Sequence, residues 1–249
     1  VGERAAIEVK AGALEVVPTG ITGLDKVIRG FIKGRTYLVA GETGTGKTIF
    51  SLNFLIGGVR RGEPGVYVLI DERVEDLLAG AKAFGWDLER LIDQDMLSVM
   101  TLLPEFSEKF KEKTIEATAR SIARDIGAEV RRIGAKRLVI DPIAPLVSGE
   151  KDMVRVREYV RELMFRIEQE VGTTTVVTSE VPTGTAALSR FGVEEFLASG
   201  IIVLGIRREI NRYVRTMFIR KMRWLPVHPS VYRFEIVPRV GIVVKERIW

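Results

Sequence analysis

Apolar residues in this chain gather into short unbroken runs, and between the runs they recur every three or four positions. Five runs read as strands buried on both faces, because such strands need no polar alternation: TYLVAG (36–41), GVYVLIDE (65–72), KRLVIDP (136–142), TTTVVTSE (173–180) and GIIVLGI (200–206). Helical segments separate most of them. The clearest predicts a helix from Val154 to Glu170, with Val156, Val160, Leu163, Met164 and Ile167 on one face. Its other face offers Glu162 and Arg166, four apart and able to pair. Alternating strands and helices predict an α/β fold with a mostly parallel central sheet flanked by helices. From about Tyr213 the pattern changes to VRTMFIRKMRW, VYRFEIV and GIVVKERIW, which reads as an antiparallel meander. No low-complexity segment, long linker or internal repeat is visible. The expectation is one domain over 1–249, with an N-terminal arm (1–17) and a C-terminal β extension (213–249).

Composition narrows the chemistry. At 249 residues, 46% hydrophobic and 29% charged, the chain can bury a sizeable core under a charge-laced surface. It has no cysteine, which excludes disulfides and thiolate metal sites, and a single histidine, His228, which argues against histidine-rich metal centres and a Ser-His-Asp triad. The net charge of +5 comes from 38 basic and 33 acidic residues that are interleaved, so it reads as a solvated surface before it reads as a nucleic-acid footprint. No run approaches the ~18 apolar residues of a membrane span, and VGERAAIEVK lacks the features of a signal peptide. The expectation is a cytoplasmic protein with no membrane partner. Only Asn53, Asn211, Gln94 and Gln169 represent the amide residues, a composition that points to a thermophile.

Directly after the first strand comes GETGTGKT (41–48), followed by the apolar helix start TIFSLNFLIGG. This is G-x-x-x-x-G-K-[ST] in a strand–loop–helix context, the phosphate-binding P-loop. Gly41, Gly44 and Gly46 let the backbone curl so that successive N–H groups aim at a phosphate, and the helix N-terminus adds partial positive charge. Thr43, Gly44, Thr45, Gly46, Lys47, Thr48 and Ile49 are therefore the expected ATP-binding residues, with Lys47 reaching the β- and γ-phosphates and Thr48 able to ligate Mg²⁺. A second metal-side carboxylate is expected at Asp141, which ends KRLVID in the Walker B pattern. Asp71 and Glu72 end VLIDE. One of them can polarise an attacking water as general base, and either can instead cap the helix that starts at VEDLL.

Lys221 and Arg223 in FIRKMRW stand two apart in an apolar run, so a regular strand would aim both cations to one side. Two like charges placed side by side require a negative partner.

Taken in order, these pieces resemble the KaiC-like branch of the RecA superfamily of ATPases. The likeness runs from PTGITGLDKVIRG (18–30) through GETGTGKT, GEPGVYVLIDER, AFGWDLERL (83–91), VIDP, TTVVTSE and SRFGVEEF (189–196) to IRKMR. It implies a RecA-type P-loop core, ATP and Mg²⁺ as cofactors, and a homo-oligomer, a hexameric ring with ATP held between subunits. It implies general-base duty for Glu72 in an acidic pair with Asp71, where the family usually has two glutamates. It also implies that Lys221 and Arg223 act on the γ-phosphate of the adjacent subunit, Arg223 as an arginine finger. Trp224 stands where the family usually has glycine, and His228 falls about one residue late. The Ser-Thr pair phosphorylated in the second domain of the family's clock members aligns with Glu195 and Phe196, so autokinase activity is not expected. The chain resembles the first, ATPase-type domain.

Two other functions compete. A DNA-dependent motor needs basic channel loops, but the loop 181–200 carries one arginine against two glutamates, and VSGEKDM (147–153) is no better. The expectation is therefore against DNA. A nucleotide-gated scaffold with little turnover and an unknown protein partner is compatible with the same residues.

Overall fold

The computed structural model describes residues 14–70, 72–102, 114–143, 152–182, 184, 189–192 and 194–249. Its frame is a nine-stranded sheet ordered β11-β10-β9-β8-β3-β7-β6-β4-β5. The parallel part comprises β3 (Thr36–Gly41), β4 (Gly65–Leu69), β5 (Leu97–Thr101), β6 (Arg137–Asp141), β7 (Thr174–Glu180) and β8 (Gly200–Glu209). All six residues of β3 are buried, as are all five of β4 and of β6, which is why these strands lack polar alternation. β9 (Arg212–Met222), β10 (Ser230–Val237) and β11 (Gly241–Arg247) continue the same sheet antiparallel from β8. The extension thus begins inside β8, which runs three residues past the apolar segment that predicted it and pairs with β9 to Glu209. Of the expected N-terminal arm, 1–13 lie outside the described residues, and β1 (Val16–Val17) forms a separate ladder with β2 (Phe31–Ile32).

Helices cover both faces. One face carries α2 (Lys47–Val59), α3 (Val74–Phe84) and α4 (Leu88–Asp93), preceded by the short α1 (Leu24–Ile28). The other carries α5 (Ile115–Ile133) and α6 (Met153–Arg166). α5 buries Ala119, Ile122, Ala123, Ile126 and Val130, a stripe at helical spacing. α6 bears out the helix predicted from Val154. Its five expected core residues are buried and Glu162 meets Arg166 at 2.6 Å, but the last turn, Ile167–Val171, widens to a π-helix. The short α7 (Glu194–Leu197) leads into β8.

Asn53 and Arg137 help tie α2 to the rest of the fold. Asn53 of α2 holds the β10–β11 turn, donating to the Val240 carbonyl at 3.1 Å and accepting from the Ile242 N–H at 2.6 Å, so the extension is fastened to the helix after the P-loop. Arg137, fully buried at the start of β6, donates to Glu63 and to the Phe54 carbonyl at 2.8 Å from Nη1, joining α2 to the sheet.

Candidate functional site

Ligands of open α/β sheets bind beyond the carboxyl ends of the parallel strands, and the chemistry-bearing residues collect at that edge. The loop from β3 enters α2 through Gly44 at φ 78° and the N-cap Gly46 at φ 108°, left-handed conformations that glycine takes without steric cost. Gly41 serves differently from the curling role expected of it. A Cβ there would lie 2.4 Å from the Leu204 carbonyl oxygen and 2.7 Å from Thr45 Oγ1, so it is needed for close approach. The first N–H groups of α2 have no intrahelical partners, and Lys47, Thr48 and Ile49 line the cleft. Lys47 is buried, with Nζ donating to the carbonyls of Gly41 (2.9 Å) and Glu42 (3.0 Å). Burial lowers its ammonium below the usual lysine range, against the opposing pull of Glu180 and Asp141.

Asp141, at the end of β6, is surrounded by hydroxyl donors. Thr48 Oγ1 reaches Oδ2 at 3.1 Å, Tyr67 from β4 makes a short bond to the same oxygen, and Thr178 from β7 makes a short bond to Oδ1. Burial first, then the Asp141 charge, pushes the Tyr67 phenol well above its ordinary range, so it remains a donor. Among the described residues no group of three or more His, Cys, Asp or Glu could form a metal cage. The oxygens of Thr48 and Asp141 suit a hard ion that takes its remaining ligands from phosphate and water, the usual manner of Mg²⁺.

Glu72 lines the same cleft just ahead of α3. The residue capping α3 is Arg73, with no side-chain bond, so the capping alternative does not hold for Glu72; Asp71 lies outside the described residues. Partial burial, then the charges of Asp141 and Asp76, raise the Glu72 carboxyl above the usual glutamate range. A carboxylate crowded by others near a phosphate cradle is suited to accept a proton.

Ile70, Pro142, Glu180, Arg190 and Ile236 also line the cleft and were not singled out from sequence. Glu180, the last residue of β7, accepts from Thr43 Oγ1 at 3.2 Å and lies 4.0 Å from Lys47 Nζ. Arg190 and Ile236 contribute to the wall of this cleft of about 650 Å³. Glu180 carried a signal, as the polar end of TTTVVTSE, but only the pairing of β7 with β3 brings it to the P-loop. Ile236 comes from β10, far along the chain, and its Cδ1 lies 3.0 Å from where a Gly46 Cβ would stand.

Lys221 and Arg223 are not in this cleft. Met222 pairs with Gly200, and Gly200 with Tyr37, four residues before Gly41. Lys221 itself pairs with Ile201, which faces Leu38, so at about 3.3 Å per residue it sits roughly 10 Å along the strands from the level of Gly41, and Arg223 sits farther. The even alternation expected of FIRKMRW is broken by a β-bulge. Ile201 pairs with Lys221 and Ile202 with Ile219, leaving Arg220 as the extra residue, and bulges re-aim side chains. Lys221 Nζ donates to the carbonyls of Glu195 (2.9 Å) and Ala198 (2.8 Å), and Arg223 Nη2 to that of Phe196 (2.8 Å). Partial burial, with the Arg223 charge, lowers the Lys221 ammonium. Trp224 comes next, in a turn at φ 64°, and is 79% exposed. Of the loops weighed for DNA, 147–151, 183, 185–188 and 193 lie outside the described residues.

Known proteins resemble this chain in sequence and fold. A family model described as "ATPase: KaiC" matches residues 17–248. The circadian clock oscillator protein KaiC of Parasynechococcus marenigrum is 34% identical over 212 residues, covering 84% of this chain and 41% of the relative. That of Thermostichus vulcanus is 33% identical over 242 residues, covering 96% and 45%. The chain therefore spans less than half the length of these curated relatives. A crystal structure of a KaiC-like protein from the hyperthermophilic archaeon Pyrococcus horikoshii OT3 superposes with a TM-score of 0.81 at 36% identity, over 94% of this chain and all of that one. The fold is accordingly the RecA-type α/β fold that the motifs implied.

Proposed function

The chain belongs to the KaiC ATPase family, and on that premise we propose that it binds and hydrolyses ATP with Mg²⁺ at the interfaces of a hexameric ring, as a single domain over 1–249 without autokinase activity. Lys47 exchanges the carbonyls of Gly41 and Glu42 for the β- and γ-phosphates, and the first N–H groups of α2 cradle them. Thr48 and Asp141 would hold Mg²⁺, which when bound neutralises phosphate charge. Glu72, deprotonated, takes the proton of the attacking water. Lys221 and Arg223 of the adjacent copy stabilise the charge that develops on the transferred group. Glu195 and Phe196 offer no hydroxyl to phosphorylate.

The observation that supports this reading is the placement of Lys221 and Arg223 toward the end of the sheet opposite their own P-loop, outside the cleft that their own Lys47 and Asp141 line. Arg223→Ala is expected to keep nucleotide binding and to slow hydrolysis about 10³-fold or more. Mixing Arg223→Ala with Glu72→Ala subunits should recover activity, because some interfaces then join an intact base to an intact finger. Mixed rings that form and recover nothing would refute action between subunits.

A further inference from the structure

Among the described residues the cleft is lined by two cations, Lys47 and Arg190, and the proposed chemistry leaves Arg190 without a task. Its backbone is fixed from three sides. The Arg190 N–H donates to Ser179 Oγ at 3.0 Å. Ser189, just before it, is buried, bonds to Glu195 and accepts from the Gly192 N–H at 3.2 Å. The Phe191 carbonyl, just after it, accepts from Arg157 Nε of α6 at 3.2 Å. The Arg190 side chain itself is exposed, and among the described residues its guanidinium meets no carboxylate or carbonyl. A charge held in place through its backbone and left unpaired at its head is preorganised for a ligand.

The position of Ser179 decides which ligand. β7 lies between β3, which leads into the P-loop, and β6, which ends at Asp141. Ser179 is flanked by Thr178, bonded to Asp141, and by Glu180, 4.0 Å from Lys47 Nζ. The anchor of Arg190 therefore stands between the two groups that bracket a γ-phosphate, the P-loop lysine and the carboxylate on the metal side. Charge points the same way. Without Arg190, Lys47 would face the carboxylates of Glu72, Asp141 and Glu180 alone. Those carboxylates oppose a triphosphate more than a diphosphate, because the γ-phosphoryl group brings further negative charge. A guanidinium offsets it well, since its planar fork matches phosphate oxygens.

We infer that Arg190 donates to the γ-phosphate of the nucleotide in its own cleft and so sets a preference for nucleoside triphosphate over diphosphate. The inference rests on the reading of this cleft as the ATP site and requires no second copy. It gives the two arginines separate duties: Arg190 holds the triphosphate before reaction, and Arg223 serves the hydrolytic step.

The test titrates the full chain calorimetrically with Mg-ADP and with the Mg complex of β,γ-imido-ATP, which keeps the γ-phosphate and resists hydrolysis, at one ionic strength. Arg190→Ala should bind imido-ATP about tenfold or more weakly than the parent, and ADP within about twofold of it. Arg190→Lys, which keeps the charge without the fork, should recover part of the loss. Because the side chain is exposed, the nucleotide-free variants should melt with the parent, so a loss confined to the triphosphate reports contact and not folding. Equal weakening of both nucleotides would overturn the inference, since the effect would then belong to the whole cleft, as would unchanged binding of imido-ATP. A parent that binds neither nucleotide would sink the reading of the cleft as well, whereas a parent that binds both, with Arg190→Ala indifferent, sinks only this inference.

Discussion

The ring of hydroxyls around Asp141 makes a quantitative prediction at Tyr67. Tyr67→Phe removes one oxygen and leaves the ring in place, so no cavity opens in the core where Tyr67 is fully buried. What is lost is a hydrogen bond to a buried carboxylate, whose Oδ2 then keeps only Thr48 at 3.1 Å. Bonds to charged groups contribute about 1.5–3 kcal/mol. For a chain of this length each kcal/mol lowers Tm by about 2–4 °C, so the nucleotide-free variant should melt roughly 3–12 °C below the parent. Thermal melts followed by circular dichroism, with and without Mg-ATP, read this directly. Because Asp141 would gain a metal partner when Mg-ATP binds, the deficit should shrink in its presence. A nucleotide-free Tm within about one degree of the parent would refute the claim that Tyr67 stabilises the Asp141 charge. A deficit that persists unchanged in Mg-ATP would refute metal ligation by Asp141.

Glu72→Gln should lower kcat by about 10²–10⁴ while leaving ATP binding intact, measured by phosphate release and by titration. Since burial and neighbouring carboxylates raise the Glu72 pKa, the acid limb of the parent's pH–rate profile should lie above the usual glutamate range. The same shift carries a stability sign. A raised folded pKa favours the folded state below the unfolded pKa, and this contribution is lost as pH rises through the folded value, so Glu72→Gln should melt higher than the parent at neutral pH, with the gap closing in acid. Arg137→Met should cost about 3 kcal/mol, because the buried guanidinium serves Glu63 and the Phe54 carbonyl, without changing KM for ATP. A loss under about 1 kcal/mol in denaturant melts would show that the pair is replaceable by apolar packing.

Much of the fold is written in local pattern. TYLVAG is a buried strand wherever it lies in a sheet, and the stripe from Val156 to Ile167 is a buried helix face in any neighbourhood. The P-loop is legible for the same reason: its glycines, Lys47 and Thr48 lie within eight residues, so short-range backbone geometry gathers them in one loop. Even Asp141 and Glu72 follow from the habit of parallel strands to end on one side.

Neighbourhood across the sheet is another matter. Apolar runs carry no mark of strand order, and it is the sequence β3-β7-β6-β4 that sets Tyr67 and Thr178 on either side of Asp141 and Glu180 beside Lys47. Ile236 reaches the cleft from β10, which pairs with β9 and β11 and whose turn into β11 is fastened to α2 by Asn53. In β9 the alternation in FIRKMRW is regular, and a bulge at Arg220 that pairing with β8 creates is what redirects Lys221. The same pairing puts Lys221 and Arg223 far from their own P-loop. Local sequence therefore determined which candidate residues the chain offers, while contacts between segments distant along the chain decided which of them share a cleft, because strand pairing is non-local and periodicity is not.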